Sequence, residues 1–407
     1  MKVTYALLGS LCLLMGLLMV LVTAAPDAQA EVGTADSSLN TVTPAPEITT
    51  TQSITLYIPI VMEPPSPYPL PPPIPMTGTP PIDFTAVQQN LHQQGLDLSF
   101  NKIGFHTGVG GNITGLDDWM NTLDAAGVPI FLKSADNAEP LFDAQQLRAQ
   151  SGVPHTLIFR RTGAQYDVPN YNLPPKTAAQ QHWALHKAAW PPELNPSVVW
   201  IETINEVDKN RSEWLGQFAL ETAQLALADG YRWAGFGWSS GEPEPEHWEF
   251  PAMLDYLRLA SRHPDRLAVT LHEYSFDEND IGRWYPYLVG RFQLLFEVCD
   301  AYNILRPTVF ITEWGWQADT VPAPSPALSD IAWAAELYAA YPQVKGAAIW
   351  YLGGEFGGIA DKAQLLIQPA RDYSLSHYFA YTPGQGRIDP SLFAPAGSQA
   401  APAYMIR

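Results

Sequence analysis

Cysteine is nearly absent: the 407 residues contain two, Cys12 and Cys299. Cys12 sits in a leader-like segment without a lipobox before it, so the folded part is left with one thiol and no internal disulfide. The setting of Cys299, "LLFEVCDAY", reads as an apolar helix and predicts a buried, inert thiol. Basic residues are also scarce, with 22 Lys and Arg against 41 Asp and Glu, a formal charge of −19. That balance argues against nucleic acid or an anionic membrane surface as partner. Hydrophobic residues make up 46% and aromatics 12% of the chain, ample for a sizeable core. The length allows one large barrel or two ordinary domains.

The beginning of the chain reads as a targeting segment. Lys2 precedes an apolar run, Ala6 to Val22, and Ala28-Gln29-Ala30 offers a small-residue cleavage site. Residues 1–30 are therefore expected to be a signal peptide. An uncleaved anchor is the alternative, since the run is near the lower length limit for a span. Either way the expectation is a protein outside the cytoplasm, secreted, touching a membrane only if the segment is retained. Residues 31–82 are rich in Pro, Thr and Ser, and "PPSPYPLPPPIP" should be extended, as a tether. "ITLYIPIVM" within it is compatible with a stray strand. Residues 83–394 are expected to form a single catalytic domain, monomeric, with 395–407 as a tail.

From Asp83 onward a unit repeats: a short β-branched run, a polar or Gly-rich loop, then amphipathic helical spacing. The predicted strands are "KIGFH" from Lys102, "VPIFLK" from Val128, "HTLIFRR" from His155 and "VVWIETI" from Val198. "RWAGFGW" from Arg232, "RLAVTLH" from Arg266, "TVFITE" from Thr308 and "GAAIWYL" from Gly346 complete the set. Between them lie stretches such as "SEWLGQFALETAQLALADG", where Leu215, Phe218, Ala219 and Ala223 share a face and Gly230 suits the C-terminal cap. Eight such units in one domain predict a closed (β/α)8 TIM barrel. An open doubly wound sheet is disfavoured, because no G-x-G-x-x-G follows the first strand. "DFTAVQQNLHQQG", ahead of that strand, is expected to be a helix closing the barrel floor.

In such barrels the active site lies at the C-terminal ends of the strands. Those ends carry His106, Lys133, Arg160, Asn205-Glu206, Trp238, His272-Glu273-Tyr274, Glu313-Trp314 and Trp350, and no metal cluster. Glu273 has the opposite parity to His272 and Tyr274, so it faces away if they face the cleft. In "VVWIETINEVD" three acids follow an apolar run. Glu202 lies deep, where a carboxylate needs a cation such as Lys133 or Arg160. Glu206 sits at the rim, and Asp208 is already in the loop, as a cap.

The combination of "ETINE", "HEY", a strand-ending "TEWG" and a Trp closing the last strand resembles glycoside hydrolase clan A, nearest to barrels of the family 5 and family 39 type. That resemblance spans the barrel but rests on about eight residues, and it departs from the pattern at Val207, where Pro is usual, and at Arg160-Arg161. It implies a retaining glycosidase acting on a poly- or oligosaccharide without cofactor or metal. Glu206 corresponds to the acid/base on the fourth strand and Glu313 to the nucleophile on the seventh. For that chemistry Glu206 should have a raised pKa, through partial burial and the nearby Glu313 charge. Tyr274 should hydrogen-bond Glu313, Asn205 should meet the sugar 2-hydroxyl, and Trp350 should form a stacking floor. His272 and Lys133 are expected as polar wall residues, with His106 and Trp314 also against the substrate.

Competing features are weaker. Glu355, in "GGEFGG", resembles a nucleophile segment but lies past the eighth strand in a Gly-rich loop. That Gly run suits a phosphate-binding barrel, which the acid within it opposes. A non-catalytic carbohydrate-binding barrel or surface scaffold is a further alternative. Trp238, Trp284, Trp314 and Trp316 are as readily core or lid as sugar subsites. His182 and His186, in "HWALH", have zinc spacing but lack the Glu of H-E-x-x-H, so a surface histidine pair is expected. Arg160 and Arg161 could meet an acidic sugar, but pairing with Glu202 inside the barrel is the stronger expectation.

Overall fold

The computed structural model describes residues 69–276, 280–317, 320–384 and 386–394. The predicted leader, the first part of the linker including "ITLYIPIVM", and the tail from 395 lie outside the described residues. Eight parallel strands form a closed barrel. They are β1 (Ile103–Thr107), β2 (Phe131–Ala135), β3 (Thr156–Arg160), β4 (Trp200–Glu202), β5 (Arg232–Trp238), β6 (Leu267–Tyr274), β7 (Thr308–Gly315) and β8 (Val344–Ile349). Each falls within or beside its predicted stretch, and β8 closes the ring against β1 through Ala347–Ile103 to Ile349–Phe105.

The helices form as their apolar spacing requires. In Ser212–Ala228 the predicted face of Leu215, Phe218, Ala219 and Ala223 is fully buried, and Gly230 follows with φ of 84°, a left-handed turn that costs glycine little. Asp208 caps the short turn Lys209–Arg211, its Oδ1 accepting from the Asn210 N–H at 3.0 Å.

Period-two alternation places one residue from each of β2 to β8 inward in the lower barrel. Phe131, Ile158, Trp200, Ala234, Ala268, Phe310 and Ala348 meet there as a separate apolar layer. Two residues further along β2, β3 and β4, the same inward face carries Lys133, Arg160 and Glu202. The barrel is thus an apolar plug beneath a charged layer.

The tether boundary needs correction. Pro69–Leu70 pairs with Arg387–Ile388, and Ile74–Thr77 pairs antiparallel with His377–Tyr381, so this part of the Pro-rich stretch belongs to the fold. Proline tolerates such edge positions because one side of the strand needs no ladder donor. The expected floor helix is Phe84–Gln93, capped by Asp83. Its Phe84 ring packs on Phe100 and Tyr378 of the small sheet formed by Ile74–Thr77, His377–Tyr381 and Asp97–Phe100. The last of these strands leads into β1 at the barrel floor.

Candidate active site

The charged layer is organised around Glu313. A register shift in β7 between Ile311 and Glu313 sets Glu313 beside His272 of β6. Such bulges re-aim side chains at strand ends. One carboxylate oxygen, Oε1, faces Arg160 Nη1 at 3.2 Å and Lys133 Nζ at 3.5 Å. The other, Oε2, accepts from the Tyr274 hydroxyl at 3.0 Å, as expected, and lies 3.4 Å from His272 Nδ1. Glu313 is 6% exposed. Burial alone would raise its pKa, but His272, Lys133 and Arg160 overcome that cost and hold it below the usual carboxylate range.

Glu206 leaves the end of β4 with φ of 47°, a left-handed conformation uncommon outside glycine, while its N–H donates to the Gly237 carbonyl at 2.7 Å. This turn carries its carboxylate over the barrel mouth, where Oε1 lies 3.4 Å from the same His272 Nδ1. One imidazole nitrogen thus stands between two carboxylates from β4 and β7. The expected raised pKa of Glu206 is not found. The hydrogen bond from His272 is the largest influence and, with the charges of His272 and Arg160, holds Glu206 below the ordinary range despite partial burial. About half of its side chain is open to solvent, which screens that effect without changing its sign.

Lys133 was predicted as a wall residue contacting substrate, but it is fully buried. Its ammonium lies 2.7 Å from Glu202 Oε2, an ion contact without hydrogen-bond alignment. Lys133 therefore bridges Glu202 and Glu313 and acts through the latter. Burial opposes the charge of Glu202, yet Lys133 and Arg160 keep its pKa low. Arg160 does not form the expected salt bridge to Glu202. Its guanidinium instead takes Asp167 Oδ1 at 2.8 and 3.2 Å and Glu313 at 3.2 Å. Arg161 points elsewhere, to Asp136 at 3.2 Å.

Asp167 is a member of this charged layer that sequence reasoning missed. It orients Arg160, and its carbonyl accepts the Asn205 N–H at 2.9 Å, tying the loop after β3 to the end of β4. Its own spacing carried no signal. Arg160 did, through its parity with Ile158. Asn205 Oδ1 and His272 Nε2 are buried with no hydrogen-bond partner among the described residues.

The aromatic residues divide sharply. Trp350, half-buried, stacks on Tyr351 at 4.3 Å and meets the exposed Phe356 edge-on at 5.2 Å. His106, expected against substrate, is fully buried with its ring packed against Trp350 and Tyr351. Trp314 is corrected outright: with parity opposite to Glu313 it points into the helical layer, fully buried, 5.3 Å from Trp316. Trp238 is also core. An irregularity in β5 between Gly235 and Trp238 turns it onto Phe236 at 5.2 Å.

Glu273 faces away from the cleft, as its parity required. It accepts from the Gly290 N–H at 2.8 Å and the Tyr338 hydroxyl at 2.7 Å, and burial pushes its pKa up to about 7. His182 and His186 are not a surface pair. Both are buried, and both Nε2 atoms face the Tyr166 carbonyl, at 2.9 and 3.1 Å. Burial lowers their pKa values to about 4 and about 3. Cys299 is buried as expected, and Glu355 is exposed with φ of 71°.

Comparison with known proteins gives little. No family model matches the chain, and no curated protein matches it. Among solved structures, it is weakly similar to a GH5 cellulase from an Icelandic hot spring isolate, at 14% identity and TM-score 0.35, over 73% of this chain and 85% of that one. A GH128 endo-β-1,3-glucanase from Sorangium cellulosum is similar at 12% identity and TM-score 0.37, over 67% and 98%. The YdjI aldolase from Escherichia coli K12 is similar at 11% and 0.32, over 72% and 96%. At these scores the likenesses decide nothing about chemistry, which rests on the chain's own residues.

Proposed function

We propose that this protein is a glycosidase that hydrolyses O-glycosidic bonds with retention, Glu313 attacking the anomeric carbon and Glu206 serving as acid, then base. The observation that carries this reading is the single His272 Nδ1 within 3.4 Å of both carboxylates. Those two oxygens are therefore no further apart than twice that distance. Retaining pairs stand about 5–5.5 Å apart and inverting pairs about 6.5–9.5 Å, so a ceiling at the bottom of the inverting range supports covalent catalysis.

The electrostatics suit these roles. Glu313, ionised among Lys133, Arg160 and Tyr274, is a ready nucleophile. Glu206 is held low in the free site, so it carries its proton best in acid, and the first step should run fastest below neutral pH. Once Glu313 is esterified by the sugar its negative charge is gone, which favours the ionised Glu206 needed to activate water. The partly open Asn205 side chain is left for a sugar hydroxyl, Trp350 offers a face for stacking, and buried His272 acts through the two glutamates. Export from the cytoplasm through the N-terminal segment belongs to the same proposal.

The test is hydrolysis of an aryl glycoside panel by wild type, Glu313→Gln and Glu206→Gln. Each variant should lose at least about 10²–10⁴-fold in kcat/KM. Azide should restore turnover in a smaller variant, Glu206→Ala, and proton NMR should show retained anomeric configuration. Unchanged turnover in both Gln variants overturns the assignment. Oligosaccharide binding without product release would identify a carbohydrate-binding barrel instead.

A further inference from the structure

At the opposite end of the barrel from Glu206 and Glu313 a cavity of about 480 Å³ opens at the starts of the strands. Its size is that of small-molecule sites in general. Four basic side chains line it: Lys102 just before β1, Arg148 from the helix before β3, Arg232 at the start of β5 and Lys345 in β8. Asp265 is the acid among the lining residues. In a chain of net charge −19 this is a marked local concentration of positive charge.

These four cations face one carboxylate, Asp265, which acts on Arg232 and Lys345, so the cluster is positioned but only partly compensated. Lys102 Nζ donates to the Tyr338 and Tyr341 carbonyls at 2.8 and 2.9 Å, and Lys345 Nζ to the Pro342 carbonyl at 2.7 Å. Arg148 donates to the His155 carbonyl, and Arg232 lies over the Trp200 ring at 5.6 Å. Carbonyl dipoles and a π face orient a cation without cancelling its charge. Ion pairs join Lys133, Arg160 and other bases of this chain to carboxylates, but among the described residues none joins these four to one. Arg232 Nε is buried without a hydrogen-bond partner among the described residues. Burial lowers the pKa of Lys102, Arg148 and Arg232, and Lys345 near Lys102 and Arg148 near Arg232 lower them further, while Asp265 opposes the lowering at Arg232 and at Lys345 on the rim. Such a cluster gains stability from any anion that enters it.

The remaining walls are apolar. Phe131, Trp200 and Phe310, the aromatic members of the barrel's lower layer, face the cavity, with prolines around the rim. We propose that this floor cavity is a binding site for a small organic anion whose flat apolar body packs between the rim prolines and the edge of Trp200 while its anionic group meets Arg232, Arg148 and the two lysines. A bare inorganic ion would leave the apolar rim unused. A neutral molecule would leave the cations uncompensated. The proposal does not depend on the glycosidase reading, because the two sites use different residues at opposite ends of the barrel.

Isothermal calorimetry on the full chain, at low salt and pH 7, tests it with benzoate, its neutral analogue benzamide and inorganic phosphate. Benzoate should bind saturably at one site, with benzamide at least tenfold weaker. Arg232→Gln and Lys345→Gln should each weaken benzoate at least fivefold. Lys345 is exposed at the rim, so its replacement leaves the fold intact if Arg232→Gln does not. Lys176→Gln, at an exposed cation paired with Glu221 elsewhere, should change nothing. Crystals soaked in 4-iodobenzoate should show the iodine anomalous peak in the floor cavity. Equal binding of benzoate and benzamide, binding that neither variant alters, phosphate binding where benzoate fails, or iodine found at the Glu206–Glu313 mouth alone would each overturn the proposal.

Discussion

Replacing Lys133 by Met tests the central electrostatic claim. Lys133 and Glu202 face each other at 2.7 Å with neither side chain exposed, so removing the ammonium strands a carboxylate away from water. Breaking one half of a buried pair costs about 3–5 kcal/mol. Arg160, which also lowers the Glu202 pKa, offsets part of this, placing the expected loss near the lower end. The double variant Lys133→Met/Glu202→Gln removes both charges and should recover at least about 2 kcal/mol, the coupling typical of groups in one network. Urea unfolding of wild type, both singles and the double at pH 7 completes the cycle, with the denaturant slope checked for constancy. A pH dependence should accompany it. Without Lys133, burial dominates and raises the Glu202 pKa. The deficit of the single variant is then present at neutral pH and shrinks as pH falls and Glu202 takes up a proton. A single-variant loss under about 1 kcal/mol, or a double variant no more stable than Lys133→Met, would refute the argument.

His272→Gln removes the main cause of the low Glu206 pKa, so the basic limb of the kcat/KM profile should move to higher pH; a limb that stays in place counts against Glu206 as the acid. Glu273 keeps its proton up to about pH 7 in the fold but loses it at ordinary carboxylate pH when unfolded, so stability falls as pH rises through that window. Glu273→Gln should therefore gain about 3 kcal/mol at pH 8 and almost nothing below pH 5, measured by denaturant titration at both. Trp314→Leu should destabilise by roughly 3 kcal/mol with KM unchanged, since the ring is core, whereas Trp350→Ala should raise KM for an aryl glycoside. A KM effect from Trp314 would return that ring to the cleft.

The barrel was legible because its strands repeat a local rule eight times, and the depth ordering of Glu202, Glu206 and Asp208 followed from counting along β4. Parity predicted the outward face of Glu273 correctly. Trp238, at a strand end, was left open between core and subsite, and the irregularity in β5 that turns it into the core has no fixed signature in side-chain pattern. Trp314 was misread for a different reason: an aromatic next to a catalytic candidate looks accessible, but the neighbour of an inward residue faces outward. His182 and His186 escaped because helix spacing alone does not reveal the loop that covers them, with its Tyr166 carbonyl.

By itself, then, the sequence determined what periodicity and residue type can carry: eight strands, the helices between them, the strand ends that meet at the mouth and the two glutamates standing there. Tertiary structure alone decided partnership. Arg160 chooses Asp167 and Glu313 over Glu202, Lys133 sinks between two carboxylates, and His272 reaches both Glu206 and Glu313. Four bases separated along the chain gather at the floor. The physical reason is that charges interact through space, over a few ångströms, whereas the chain records only order; which acid meets which base is settled when the barrel closes.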